Sequence, residues 1–311
     1  MSLPRKFRQL RIGLIGFGDV ARRLLMQRLH QRVRGHGPNW IAVGRSGPDH
    51  LSPNENTFAQ RSGVRFLRWD LDQKKTASRI APLFHACVVL APPAEQGLRD
   101  RRVRQFSLAL MRRNSSAAGV YLSTTGVYGD HQGREVTEVS RCAPTQPRSL
   151  RRLDAERVLR HRVGFHILRV PGIYGHDRLP LARLASQQPA LRQEDDVFTN
   201  HIHADDLARI AWIALFRGKR ARVTNAVDQT NMKMADYFDA VADAKGLPRP
   251  PRISKAEMQA LAKTGAVNPM MLGFLSESRQ VRTRRLGQEL RIRLRYPTVA
   301  HTLAGEETSF P

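Results

Sequence analysis

The residues with the clearest capacity for chemistry lie near the N-terminus. The stretch Gly13-Leu14-Ile15-Gly16-Phe17-Gly18-Asp19-Val20-Ala21 carries the spacing Gly16-x-Gly18-x-x-Ala21 between an apolar run and a helical pattern. In that context a glycine turn cradles a dinucleotide. The first glycine permits the tight turn, the second lets backbone approach a pyrophosphate, and the small third residue lets helix and strand pack closely. The helix that follows offers free N–H groups and a positive dipole end. Gly13, Gly16, Phe17, Gly18, Asp19 and Val20 are therefore the candidate cofactor residues of this turn. The next strand-like run ends in Ala42-Val43-Gly44-Arg45-Ser46. An acidic residue there would grip the 2′-hydroxyl of NAD, whereas Arg45 suits a 2′-phosphate. NADP is the expected cofactor, with NAD as the alternative, and Arg45 and Ser46 join the candidate set.

Other reactive side chains carry less. His201 and His203 alternate on a strand-like run with Asp205 following, but the same residues can end a strand and cap the next helix, so no metal is expected. Cys87 lies in an apolar run and reads as inert packing. Cys142, in a proline-containing loop, reads as a spectator. Asp154 and Glu156 are two residues apart on a helix and share no face, which points to surface roles. Two cysteines cannot build a disulfide scaffold, a four-thiolate zinc site or an iron–sulfur ligand set, so a reducing cytoplasm is the simplest compartment.

The elements that must position the glycine turn follow an alternating order. Strands are expected at Leu10–Gly16, Trp40–Val43, Val64–Trp69, Ala86–Leu90, Gly119–Ser123, Phe165–Val170 and Ala221–Asn225. Helices are expected at Val20–Gln31, Leu98–Arg113, Leu150–Arg162 and Ala204–Phe216. This is the pattern of an α/β fold with a doubly wound parallel sheet. Pro171-Gly172 breaks the alternation, 172–200 is loop-rich, and Pro248, Pro250 and Pro251 mark a joint in the mixed last eighty residues. At 311 residues and 41% hydrophobic content, one large domain with a smaller appendage is the natural size class. No apolar run approaches the length of a membrane span, and the run Ile12–Phe17 is too short for a signal peptide.

The formal net charge is +25, which invites a nucleic-acid reading. Its distribution argues otherwise. Only 8 of the 52 basic residues are lysines, and the arginines interleave with apolar residues at helical spacing, as in 99–104 and 148–162. They read as solvated helix faces, with no specific nucleic-acid partner and no membrane partner expected. An attraction for phosphates and other acidic ligands remains.

Four further segments, in order and spacing, resemble the extended short-chain dehydrogenase/reductases of the NAD(P)-dependent epimerase/dehydratase type, and within it the atypical branch of uncharacterised bacterial proteins. They are Val120-Tyr121-Leu122-Ser123-Thr124-Thr125-Gly126-Val127-Tyr128-Gly129, Leu168-Arg169-Val170-Pro171-Gly172-Ile173-Tyr174-Gly175, Asn200-His201-Ile202-His203-Ala204-Asp205-Asp206-Leu207-Ala208 and Thr224-Asn225-Ala226-Val227-Asp228. The resemblance covers residue 10 to about 300. It implies a Rossmann domain from 1–171 plus 201–227 and a substrate-binding lobe from 172–200 plus 228–311. It also implies that Asp70 and Leu71 contact adenine and that Leu90, Ala91 and Pro92 line the cofactor. A small-molecule carbonyl, hydroxyl or sugar-nucleotide substrate follows, in a monomer or homodimer.

The family's chemistry uses a Ser or Thr, a Tyr, and a Lys four residues after the Tyr. By the resemblance Thr124 takes the Ser/Thr position, with Ser123 and Thr125 as adjacent alternatives, and Ser123 is also a candidate cofactor residue. Arg152 falls at the lysine and Arg148 at the tyrosine, with Ser149 and Leu150 next nearest. No tyrosine lies between Tyr128 and Tyr174. An arginine keeps its proton above about pH 12, so Arg148 is a poor acid or base, although Arg152 can still hold a ribose or phosphate. Tyr128, Tyr174, His176 and His203 are the replacement proton donors to examine, Tyr128 first because it follows Thr124 directly. Arg279 resembles a family position near substrate.

Overall fold

A computed structural model of the chain describes residues 10–30, 37–49, 51–112, 118–265, 273 and 275–305. The expected helix ends Gln31 and Arg113 lie outside the described residues. Seven parallel strands form the central sheet: β1 (Arg11–Ile15), β2 (Asn39–Gly44), β3 (Arg65–Arg68), β4 (Ala86–Val89), β5 (Ala118–Thr124), β6 (His166–Val170) and β7 (Val223–Asn225). Their spatial order is β7-β6-β5-β4-β1-β2-β3, so the order reverses between β1 and β4. At such a switch point the loops leaving two adjacent strands diverge and open a crevice beyond their carboxyl ends. The sheet is the expected α/β doubly wound architecture.

The helices are α1 (Asp19–His30), α2 (Pro53–Arg61), α3 (Lys74–Ile80), α4 (Arg101–Met111), α5 (Pro147–Val158), α6 (Ala204–Arg217), α7 (Met234–Lys245) and α8 (Lys255–Lys263), beside shorter turns. Alternate strand residues face opposite layers. Leu14, Val88 and Leu122 pack with Leu24, Leu25 and Ile210 of α1 and α6. Ile15, Val89 and Tyr121 pack with Phe106, Leu110 and Ala155 of α4 and α5. Every residue of β4 is buried, as a parallel strand covered on both faces must be.

Several expectations are corrected. The helix expected over Leu150–Arg162 starts three residues earlier, on Pro147, and its last turn, Leu159–Val163, widens to a π-helix that ends at Gly164 in the left-handed region. α2 and α8 arise where no helix was expected. Each opens on a capping box, Ser52 with Glu55 and Ser254 with Glu257, a signature that is legible in the sequence. Segments of the second region pair with one another: Ala190–Leu191 with Arg252–Ile253, and Phe198–Thr199 with Met232–Lys233. No helix among the described residues is long and apolar enough to cross a membrane.

Candidate functional site

The glycine turn sits at the switch point, bonded to both neighbours. Gly16 and Phe17 N–H donate to Val43 O of β2 at 2.8 and 3.1 Å, and Leu90 and Ala91 N–H donate to Ile15 O at 2.8 and 2.9 Å. Gly16 has φ +95°, and a Cβ there would lie 2.4 Å from Ala91 N, so only glycine fits. Gly18 differs: a Cβ there would meet nothing within 4 Å, which leaves the open approach that a pyrophosphate requires. Phe17 turns its ring into the core, edge-on to Phe66 at 5.4 Å, so only its backbone is placed to line the crevice. Gly13 is a correction. It lies within β1, where a Cβ would come 2.7 Å from the Phe84 ring, and it serves packing.

Asp19 opens α1, but its carboxylate is engaged. It accepts from Arg23 at 3.1 Å and from Arg178 at 2.7 Å. Burial raises its pKa, yet these guanidinium groups outweigh burial and hold it below the ordinary value. Arg23 also donates to Asp205 at 3.0 Å and to Asp177, tying the start of α1 to the start of α6 and to the turn after β6. An acid in the first turn of a helix with arginine four residues on is a sequence signal for such a clamp. Arg45 is exposed just beyond β2, with Ser46 beside it. Among the described residues it has no ion-pair partner, whereas Arg22 of α1 and Arg68 of β3 are paired with Glu55 and Asp49. Asp70 Oδ1 accepts from Asp72 N–H at 3.0 Å, and Leu71 packs against the core edge. Leu90, Ala91 and Pro92 leave β4 on the far wall of the crevice.

The second half of the site is the end of β5 facing α5. Thr124 Oγ1 accepts from Gly126 N–H at 3.2 Å and caps the short turn Thr125–Tyr128. Its own proton stays available for donation. Arg152, 8% exposed, donates through Nη1 to Ala91 O at 3.1 Å, Tyr121 Oη at 2.9 Å and Leu122 O at 3.0 Å. It thereby bolts α5 to the ends of β4 and β5. Burial pushes the Tyr121 phenol up to about 12 despite this arginine.

Tyr128, the first replacement donor, is buried and donates to Asn225 Oδ1 at 2.7 Å. Arg169 lies over its ring at 4.8 Å, and burial pushes the phenol up to about 12. The structure brings it beside Thr124 in sequence but turns its hydroxyl into the protein. Arg169 in turn pairs with Glu156 at 2.9 Å, with side chains 5% and 3% exposed. The surface role expected for Glu156 is therefore wrong, because β6 carries a cation facing α5 that only a carboxylate can neutralise. Asp154 is corrected likewise: it accepts from Asp100 N–H at 3.0 Å and from Arg104.

Tyr174 and His203 belong to a buried polar cluster. The Tyr174 ring stands edge-on to His201 at 5.8 Å and to His203 at 5.3 Å. Burial holds both histidines down to about 4, hence neutral at pH 7. Burial raises Asp228, beside Tyr174, to about 7. His176 is exposed and stands 6.2 Å from His203. No group that could hold a metal ion occurs among the described residues. Cys87 is buried, which raises its thiol pKa, and burial raises that of Cys142 too. Arg279 donates to Gly129 O at 2.8 Å and to Glu277 at 2.7 Å. The residues that sequence reasoning passed over are Tyr121, Arg151 and Asp228, whose neighbours come from distant segments.

Comparison with solved structures places this architecture. A conserved protein of unknown function from Silicibacter pomeroyi superposes with TM-score 0.72 at 26% identity, covering 96% of this chain and all (100%) of that one. The dTDP-glucose 4,6-dehydratase DesIV of Streptomyces venezuelae, with NAD and TYD bound, gives 0.73 at 16% identity, over 95% and 96% of the two chains. A UDP-glucuronic acid 4-epimerase from Bacillus cereus in complex with NAD gives 0.67 at 15%, over 96% and 97%. The chain has the extended short-chain dehydrogenase/reductase-like fold. No family model matches the sequence, and no curated protein matches it. The fold relatives with bound NAD carry a nicotinamide dinucleotide. In this chain the glycine turn, the open face of Gly18 and the crevice between β1 and β4 fit that group.

Proposed function

We propose that the chain is an NADP(H)-dependent oxidoreductase of the extended short-chain type, acting on a small carbonyl or hydroxyl compound. The observation that carries this reading is the contrast at the turn: Gly16 is closed against Ala91 while Gly18 is open toward the crevice. The α1 N-terminus faces the pyrophosphate position. Arg45, unpaired and exposed, takes the 2′-phosphate and favours NADP over NAD. The bound nicotinamide supplies or accepts a hydride.

The chain's own residues do the rest. Thr124 donates a hydrogen bond from its hydroxyl to the substrate oxygen and holds that oxygen for attack, keeping its own proton. Arg152 fixes α5 against β4 and β5 and supplies positive potential where charge develops. Tyr128 has its hydroxyl committed to Asn225, so the proton comes from water held at Thr124 rather than from a phenol. A second reading draws on the same burial: without a proton-donating phenol, the chain holds NADP(H) as a sensor or scaffold without turnover.

Steady-state consumption of NADPH with a panel of aldehydes, ketones and UDP-sugars separates the two. Turnover that falls about a hundredfold in Thr124→Ala with unchanged NADPH affinity supports the oxidoreductase. Tight NADPH binding with no turnover on any carbonyl supports the sensor.

A further inference from the structure

We propose that the substrate carries a carboxylate on the carbon next to the reacting one, held by Arg148 and Arg151 at the start of α5. This rests on the oxidoreductase reading and names its substrate class. α5 runs for 12 residues from Pro147; its N-cap, Gln146, makes no side-chain cap and its first turn holds no acid. Instead Arg148, Arg151 and Arg152 occupy the positive end of the dipole, where cations are unfavourable and anions are favoured.

Neither buried arginine of the three meets a carboxylate. Arg151 donates to Gly97 O at 2.7 Å, and Arg152 to two carbonyls and a phenol. The buried carboxyl that acts on Arg152, Asp100, is occupied in capping Val103 N–H of α4, and burial raises its pKa. Arg148 stands exposed at the mouth, and partial burial with the like charges of Arg152 and Arg151 lowers its pKa. Positive charge is thus gathered here with no carboxylate on its two inner arginines.

A second observation points to a ligand at the same place. Ser123 is 5% exposed, and its Oγ has no hydrogen-bond partner among the described residues. On β5 it shares a face with Tyr121, whose hydroxyl receives Arg152, so Ser123 looks toward this helix end. An unpaired buried hydroxyl of this kind calls for a partner. The reacting oxygen is close by. The point where a Gly126 Cβ would sit lies 3.5 Å from Thr124 Oγ1 and 2.7 Å from Ser149 Oγ, and Ser149 is the residue after Arg148. An anion on the α5 arginines therefore adjoins a carbonyl on Thr124.

Two basic places of the second region are less suited to an anion. Arg279 is occupied by Glu277 and Gly129 O. A cavity there of about 310 Å³ mixes Lys233 and Lys255 with Asp130, Asp195 and Asp196. The chemistry that fits is reduction of a 2-oxo acid, or its reverse. Bound NADPH would supply the hydride to the carbonyl carbon, the C=O π pair would move to oxygen, and that oxygen, held by Thr124, would take a proton from water. The products are the 2-hydroxy acid and NADP⁺.

The test uses the full chain and two neutral-versus-charged isosteres, oxamate and oxamide, titrated calorimetrically with and without NADPH. Oxamate is expected to bind at least tenfold tighter than oxamide. Arg148→Gln, at an exposed position, should lose about tenfold for oxamate while NADPH affinity stays within twofold, with partial rescue in Arg148→Lys. Equal binding of oxamate and oxamide, or an Arg148→Gln protein that binds oxamate like the wild type, overturns the proposal. So does UDP that binds tighter than oxamate and depends on Arg148. Nicotinamide fluorescence in the same samples reports the cofactor separately, so a failed NADPH site and a failed anion site are told apart.

Discussion

The two halves of the crevice obey different constraints. On the β1–β2 side the geometry is made by backbone: Gly16 bonds to β2, its Cα faces Ala91 of the β4 loop, and Gly18 lies open. On the β5–α5 side it is made by side chains, with Arg152 joining three acceptors and Tyr128 turned inward to Asn225. A backbone site tolerates almost no change of residue type, whereas a side-chain site keeps its scaffold while its functional groups are replaced. On the proposed reading, this is how a dinucleotide turn is kept while arginines stand where the family resemblance expects a tyrosine and a lysine.

The largest effect that tests this contrast is at Gly16. Gly16→Val forces a side chain into Ala91 at positive φ, and we expect a loss on the order of 3 kcal/mol or more together with the loss of NADPH binding. Thermal unfolding checks it. A folded, cofactor-binding variant would break the claim that backbone fixes this side.

Next comes Asp228, in the buried cluster with Tyr174. Its folded pKa, about 7, lies above its ordinary 3.8, so between those values the folded state keeps a proton that the unfolded chain releases. That stabilisation is complete below about pH 4 and is lost as pH rises through 7. His201 and His203, held near 4 in the fold but ordinarily at 6.5, add a slope of the opposite sign between those values, so the Asp228 slope is read as the difference between wild type and Asp228→Asn between pH 5.5 and 8. Asp228→Asn should flatten it and be the more stable protein at pH 8, by on the order of a few kcal/mol. Denaturant melts across that range decide. An unchanged slope in the variant contradicts the assignment, and a turnover loss at equal stability would move Asp228 into the chemistry.

A smaller effect is expected at Arg45. Arg45→Ser should weaken NADPH by about tenfold, leave NADH nearly unchanged, and shift stability by less than about 0.5 kcal/mol. Equal losses for both nucleotides would place Arg45 outside the 2′-phosphate site. The smallest is Tyr128→Phe. It removes one buried hydrogen bond, for about 1 kcal/mol, and should leave turnover within twofold. A collapse of kcat would restore Tyr128 as the proton donor.

The same contrast governs what the sequence discloses. The alternation of strands and helices, the sheet class and the glycine turn are written in local periodicity and spacing, and the structure reproduces them. Gly13 misled because a glycine packed against Phe84 looks, in one dimension, like one that faces a ligand. Glu156 misled because its partner, Arg169, comes from the next strand, 13 residues on. The burial of Tyr128 depends on Asn225, 97 residues away, which no local pattern reveals. Long-range partners of single side chains decide the β5–α5 half, so that half was the less legible.

The most direct measurement is titration of wild type and Gly18→Asp with NADPH and NADH, following nicotinamide fluorescence, with melting temperature as control. A Cβ at Gly18 meets nothing, so the variant should fold and melt like the wild type. The account predicts NADPH binding in the wild type, tighter than NADH, and abolished in Gly18→Asp because a carboxylate would face the pyrophosphate. Binding of neither nucleotide to the wild type, or NADPH binding that survives in Gly18→Asp, would contradict it.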